Sequence, residues 1–342
     1  MRRAGEFGVG DEARRGGYAR WVPVVLGLAI SLACLAFIVR KIDLDAARQA
    51  LLQFEWRYLM FGLACLAFGY AMRILRWAQM LRAAGSHVGF KQCAAPFLGS
   101  IAMNNVLPLR LGDVVRALVF PASIGVPRTL STASMVMERL VDLMTLVLCL
   151  ALSLSLDTRL AAPQWVKDTA LTLAVCGCVA LLLGFVYSGV IASRLRKHER
   201  RSLRTLAQLM EAFDAMTRPR TLVALLGLSS LVWLGEAGLF YCLLLGFGLP
   251  AAPAAALLIM SIATLATLVP SSPGYVGPFH LAAFTGISLL GGTSEQAASF
   301  AVLSHLALWL PTTLAGAVAV ATTPRMFKGL RSARAPHEST DT

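Results

Sequence analysis

Between residues 21 and 321, apolar runs long enough to cross a bilayer recur, separated by short polar stretches. A hydrocarbon layer of about 30 Å takes roughly 20 helical residues to cross and offers no water to unpaired backbone groups, so a chain of this kind folds as a bundle of membrane-crossing helices. Composition agrees: 57% of the residues are hydrophobic and only 14% are charged, too apolar for an ordinary soluble domain. The expected class is an all-α, polytopic integral membrane protein.

Six clean spans are predicted, at 21–39, 58–75, 130–156, 170–191, 222–247 and 297–321. The first exceeds the apolar core of a signal peptide and no small-residue cleavage site follows it, so it is expected to stay as an anchor. Two further apolar stretches, 93–120 and 254–290, are interrupted. The first is broken by Asn104-Asn105-Val106-Leu107-Pro108-Leu109-Arg110-Leu111-Gly112-Asp113-Val114-Val115-Arg116, the second by Pro270-Ser271-Ser272-Pro273-Gly274-Tyr275-Val276-Gly277-Pro278. Proline removes a backbone donor and clashes with the preceding turn, while glycine tolerates unwound backbone. Each stretch is therefore expected to form two half-helices hinged at Pro108 and Gly112, or at Pro270, Pro273, Gly274 and Gly277. Unwound backbone at membrane depth survives only against protein or a watery cavity, so both breaks should face an interior site.

The net charge of +13 reads first as topology, and no nucleic-acid partner is expected. With the amino terminus placed in the cytoplasm, the predicted cytoplasmic segments 1–20, 73–92, 110–128, 191–220 and 323–342 hold 24 of the 31 Lys and Arg residues. Both termini are then cytoplasmic basic tails. The same layout divides the membrane region into 21–156 and 170–321, each with two spans, a broken stretch and a final span. Three crossings per half turn the second half upside down, which is the inverted-repeat architecture of many transporters. Evenly spaced hydropathy is the alternative source of this pattern.

Ser131, Ser134, Glu138, Asp142 and Thr145 fall at spacings of three and four, forming one polar stripe on a helix, with Arg139 beside it. An unpaired charge is costly at membrane depth, so this intramembrane cluster should face the bundle interior, with Arg139 pairing to Asp142. It serves either as a polar path or as an ion-pair cluster that fixes helix register. In the first break, Arg110, Asp113 and Arg116 surround the start of a half-helix. Guanidinium forks suit phosphate, and helix amino termini add oriented N–H groups, so a phosphorylated lipid headgroup is the expected ligand. Snorkelling of Arg110 or Arg116 to the interface is the alternative. Asn104 and Asn105 would line that cavity or cap the broken backbone. The second break offers the hydroxyls of Ser271 and Ser272, Tyr275 and, at the start of its half-helix, His280; Glu236, His305 and Trp309 are further candidates within apolar spans. The basic segment 193–220 carries Leu203, Leu206, Leu209, Met210, Phe213 and Met216 at helical spacing, predicting an amphipathic helix on the cytoplasmic leaflet or a solvated loop. Seven cysteines in or beside apolar stretches show no paired CxxC spacing, so neither disulfides nor a metal are expected, and no P-loop or other cofactor motif occurs.

The Asn104 to Arg116 run, Glu138-Arg139-Leu140-Val141-Asp142, and Pro270 to Phe279 together resemble the flippase-like family built on the transmembrane region of lysylphosphatidylglycerol synthases. His280 stands where many members carry Glu. The resemblance implies a bacterial-type inner-membrane protein that moves an anionic phospholipid or lipid-linked molecule between leaflets, or assists a separate transferase acting on one. With only residues 323–342 after the last span, no soluble aminoacyl-transfer domain is expected on this chain. The alternatives are an integral-membrane enzyme using Glu138 or Asp142 as a base, for aminoacyl or polyprenyl-phosphate-sugar transfer, and a scaffold that recruits a glycosyltransferase.

Overall fold

The computed structural model describes residues 25–156, 164–197 and 200–327, so the expected tail at 1–20, and that at 323–342 from residue 328 onward, lie outside the described residues. Among the described residues all regular structure is helical. The order is α1 (Val25–Val39), α2 (Leu44–Leu52), α3 (Trp56–Ala83), α4 (Phe90–Val106), α5 (Leu111–Leu118), α6 (Arg128–Leu156), α7 (Gln164–Leu195), α8 (Arg201–Thr217), α9 (Pro219–Gly246), α10 (Pro253–Ala266), α11 (Pro278–Leu289) and α12 (Ser294–Thr322). Five of these, α3, α6, α7, α9 and α12, are long and apolar enough to cross a bilayer. The predicted first span, described from Val25, turns through 86° into α2. Asp43 caps that second helix, accepting from the Asp45 and Ala46 amides.

Both interrupted stretches divide at their prolines. Leu107, whose following proline disfavours the helical region, takes φ −94° and ψ 145° and ends α4. Pro108 then opens a short 3₁₀ turn before α5. In the second stretch Ser272, also followed by proline, is extended (φ −58°, ψ 160°), and Pro273 opens the matching turn. Pro278 is pre-organised for the first position of α11.

The bundle is centred on the crossing of α3 and α9, its most extensive helix pairing. That crossing is closed by small residues: a Cβ on Gly235 would stand 2.7 Å from the Cys65 carbonyl oxygen and 2.8 Å from Gly69 Cα. Within a membrane there is little hydrophobic gain from pairing apolar helices, so close backbone packing of this kind carries the association. On either side the two stretches of chain exchange partners. α4 packs on α12, and α10 packs on α6.

The segment expected as a leaflet-bound amphipathic helix is α8, and its apolar face has a different neighbour. Phe213 and Met216 are buried in a cluster with Trp77 and Met137, while Arg204 and Arg218 remain exposed. The face is covered by the bundle because α6 and α7 already present it with a protein surface.

Replacing Gly235 with Val should cost about 1–3 kcal/mol or more through forced separation of α3 and α9. Thermal unfolding in detergent tests this; an unchanged midpoint would contradict the close crossing.

Candidate functional site

The polar interior starts from an arginine ladder on α3. Arg73 and Arg76, three residues apart, share a face with Tyr70 and Trp77. Arg76 is fully buried. Its guanidinium donates to both oxygens of Asp142 on α6, at 2.7 and 3.1 Å, and to Ser229 on α9 at 2.9 Å. Arg73 reaches the Glu236 carboxylate of α9 at 2.7 Å and lies 3.8 Å from Asp142. Three helices are thus joined by charge-assisted bonds in a setting where an unpaired charge is expensive.

The stripe on α6 faces this ladder and the first break. Ser131 donates to the Arg116 carbonyl and Ser134 accepts from the Trp77 indole. Glu138 lies 3.2 Å from Arg116 and 3.9 Å from Arg76. The expected Arg139 to Asp142 pair does not form. Asp142 is turned toward α3, and residues three apart on a helix differ by about 60° in direction, which aims Arg139 at α5 instead. There it donates two bonds to Asp113, at 2.8 and 3.0 Å. Asp113 is held further by Asn104, whose amide donates to its carboxylate at 2.8 Å and accepts from its backbone N–H at 3.1 Å. This clamp folds α5 back onto α4, and Gly112 is where they touch: a Cβ there would collide with the Ser100 carbonyl.

The five residues read from the first break as a headgroup site separate accordingly. Arg116 is fully buried with its guanidinium over the rings of Phe97 and Trp77, away from open space, and Asp113 is engaged by Arg139 and Asn104. Asn104, Asn105 and Arg110 line a cavity of about 340 Å³. Arg110 donates to the Thr267 carbonyl at 2.9 Å and its guanidinium lies 5.3 Å from the Tyr275 ring. Among the described residues, no carboxylate lies within ion-pairing distance of it. The wall also includes Arg73, Asp142 and Glu236, Gly274 and Tyr275 of the second break, and His305 and Trp309 of α12.

The two breaks meet at this cavity. Trp309 donates to the Asn105 carbonyl at 3.2 Å, the Asn105 amide donates to Thr312 and Thr313, and a Cβ on Gly274 would stand 3.2 Å from the same Asn105 carbonyl. His305 Nε2 lies 2.7 Å from the Gly274 carbonyl. His280 sits one layer behind, its ring 4.6 Å from that of His305 and its Nδ1 accepting from the Gly277 N–H at 3.4 Å, so it caps α11 rather than lining the cavity. α1 buttresses the second break through Ser31, which accepts from the Ser272 N–H and donates to the Val276 carbonyl. Pro270 and Pro273 stay on the exposed side of that turn.

A correspondence between the breaks emerges only with the backbone in view. Pro108-Leu109-Arg110-Leu111-Gly112 and Pro273-Gly274-Tyr275-Val276-Gly277 share the spacing Pro-x-x-x-Gly. In each, the second and third residues are left-handed: φ is 58° and 52° at Leu109 and Arg110, 75° and 61° at Gly274 and Tyr275. Three of these four carry side chains that disfavour that region, a strain that persists only where surroundings enforce it. Arg110 and Tyr275 occupy the same position of the motif and pack on each other.

Hydropathy ends that span at residue 75, and the cytoplasmic segment 73–92 takes in Arg73 and Arg76. The signal that places them inside is the continuation Ile74, Leu75, Trp77, Ala78, Met80 and Leu81, with both arginines on one helical face.

A multi-helix membrane bundle with two broken helices facing one polar cavity defines the class. The model for the family described as the lysylphosphatidylglycerol synthase TM region matches residues 24–316, and the chain belongs to that family. It is a multi-pass membrane protein. It is also similar to glycosyltransferase AglD of Haloferax volcanii, with 26% identity over 331 residues covering 84% of this chain and 52% of that protein. The chain therefore spans about half the length of the curated relative it matches.

Removing one member of the Arg76 and Asp142 pair should cost about 3–5 kcal/mol by stranding the other, whereas the double variant Arg76→Met with Asp142→Leu should recover most of that loss. A double-mutant cycle on detergent-solubilised protein reads the coupling; simple additivity would contradict the pairing.

Proposed function

We propose that this protein moves the headgroup of an anionic lipid between leaflets through the cavity where its two breaks meet. The observation that carries the reading is the charge of that cavity together with its apolar rim. Arg110 faces it with no carboxylate partner among the described residues, while Leu140, Leu143 and Leu268 line the same cavity and are also exposed on the outer surface of the bundle. A headgroup entering sideways would meet the guanidinium while its acyl chains pass over the leucines into the bilayer. Charge-assisted hydrogen bonding to a phosphate suits this geometry.

The inverted relation of 21–156 and 170–321 belongs to the same proposal. It is supported by the exchanged packing of α4 on α12 and α10 on α6, and by the shared Pro-x-x-x-Gly turns. Rocking of such halves about a midplane site would expose the headgroup to each side in turn, with the prolines and glycines of the breaks as hinges.

A second reading, as the membrane portion of a machinery for glycosyl or aminoacyl transfer onto lipid, is favoured by the family and by the glycosyltransferase relative. Base chemistry at Glu138 or Asp142 fits this reading poorly. Glu138 is buried beside Arg116 outside the cavity, and both oxygens of Asp142 are taken by Arg76. A transferase partner would supply the reacting groups.

Purified protein in liposomes containing fluorescent phosphatidylglycerol, assayed together for leaflet exchange and for new lipid species, separates the readings. The expected result is exchange without a new species, and a rate that falls about tenfold or more in Arg110→Ala, the loss of a hydrogen bond to a charged group being worth roughly 1.5–3 kcal/mol. Exchange unaffected by that substitution at normal expression would overturn the headgroup assignment.

A further inference from the structure

The cavity's charge and ring content go further than a phosphate site. Among the described residues around it, five arginines (Arg73, Arg76, Arg110, Arg116 and Arg139) stand against four carboxylates (Asp113, Glu138, Asp142 and Glu236). Both carboxylates that line the cavity are already engaged: Asp142 by Arg76 at 2.7 Å and Glu236 by Arg73 at 2.7 Å. Drawing either one onto an incoming ammonium would leave a buried guanidinium without its partner, the costly half of a broken ion pair. The surplus is one positive charge, at Arg110, which matches one anionic ligand group.

Around that charge the wall is aromatic. Tyr70, Trp233, Tyr275, Phe279, His305 and Trp309 contribute rings. Trp233 is already covered on one side by Arg73, 4.7 Å from its ring. Tyr275 lies under Arg110 and its hydroxyl has no hydrogen-bond partner among the described residues. Electron-rich ring faces favour the polarised C–H faces of a polyol, while its hydroxyls take up phenol and amide groups. At about 340 Å³ the cavity is at the small end of ligand pockets, room for a headgroup with its chains left outside.

We propose that the cavity selects a phosphodiester monoanion joined to a neutral polyhydroxyl group, as in a glycosylated polyprenyl phosphate or a phosphatidylpolyol, and disfavours headgroups bearing extra ammonium groups. Arg110 holds the phosphate and Tyr275 both orients that guanidinium and contacts the polyol. This specificity rests on the translocation reading above.

The test is binding of defined lipids to the purified full-length chain by native mass spectrometry. The probes are hexosyl polyprenyl phosphate, phosphatidylinositol, phosphatidylmethanol and lysylphosphatidylglycerol. Either or both of the first two should bind at least tenfold more tightly than lysylphosphatidylglycerol, and their order distinguishes a polyprenyl from a glycerolipid source. Arg110→Ala should weaken all the anionic probes. Tyr275→Phe, which keeps the ring under Arg110, should weaken the polyol lipids severalfold and leave phosphatidylmethanol unchanged. Equal or tighter binding of lysylphosphatidylglycerol, or equal loss of all probes in Tyr275→Phe, would overturn the specificity while leaving translocation standing. Failure of every lipid to bind above the Arg110→Ala variant would overturn the translocation reading itself.

Discussion

A guanidinium inside hydrocarbon must keep its counter-charge beside it, and that requirement organises this bundle. Arg76 on α3 fixes Asp142 on α6 and touches Ser229 on α9, while Arg73 fixes Glu236. The close crossing of α3 and α9 at Gly69 and Gly235 brings those partners within reach. Glycine packing and ion pairing depend on each other here: a wider crossing would leave the arginines unpaired, and unpaired arginines would leave the crossing without directional bonds.

The same network places the two breaks. Asp113, clamped between Arg139 and Asn104, folds α5 onto α4. Ser31 and His305 hold the second turn, at Ser272 and Val276 and at Gly274. Left-handed backbone at Leu109, Arg110 and Tyr275 is strain that this clamping sustains, and its concentration where the breaks touch marks the segment as one selected for position rather than for stability. The proposed movement of headgroups would use that region, since strained turns release energy on rearrangement that the unstrained helices they join do not hold.

Much of this was legible in the sequence, for a physical reason. Span positions follow from apolar length, and proline disfavours helix at the residue before it; both breaks lie at prolines, Pro108 and Pro273, although Pro96 and Pro311 stay within helices. What resisted reading was pairing over distance. Arg76 meets a partner 66 residues away and Arg73 one 163 residues away, and hydropathy places both arginines in the cytoplasmic segment 73–92. The local choice of Asp142 for Arg139 failed because spacing along one helix says nothing about which neighbour each side faces. Spacing alone leaves Arg116 free to meet a headgroup or to snorkel to the interface, whereas two aromatic rings enclose it. The Pro-x-x-x-Gly correspondence escaped notice because its variable positions differ in every residue, while the shared property is a backbone conformation.

The cavity exists only if the two broken helices meet inside the protein. Cysteines introduced as Arg110→Cys and Tyr275→Cys, in a chain whose seven native cysteines have been replaced, can be treated in native membranes with a short bifunctional thiol reagent. The account predicts an intramolecular bridge between them. If each single variant reacts with a monofunctional reagent while the pair never bridges, the convergence of the breaks is contradicted.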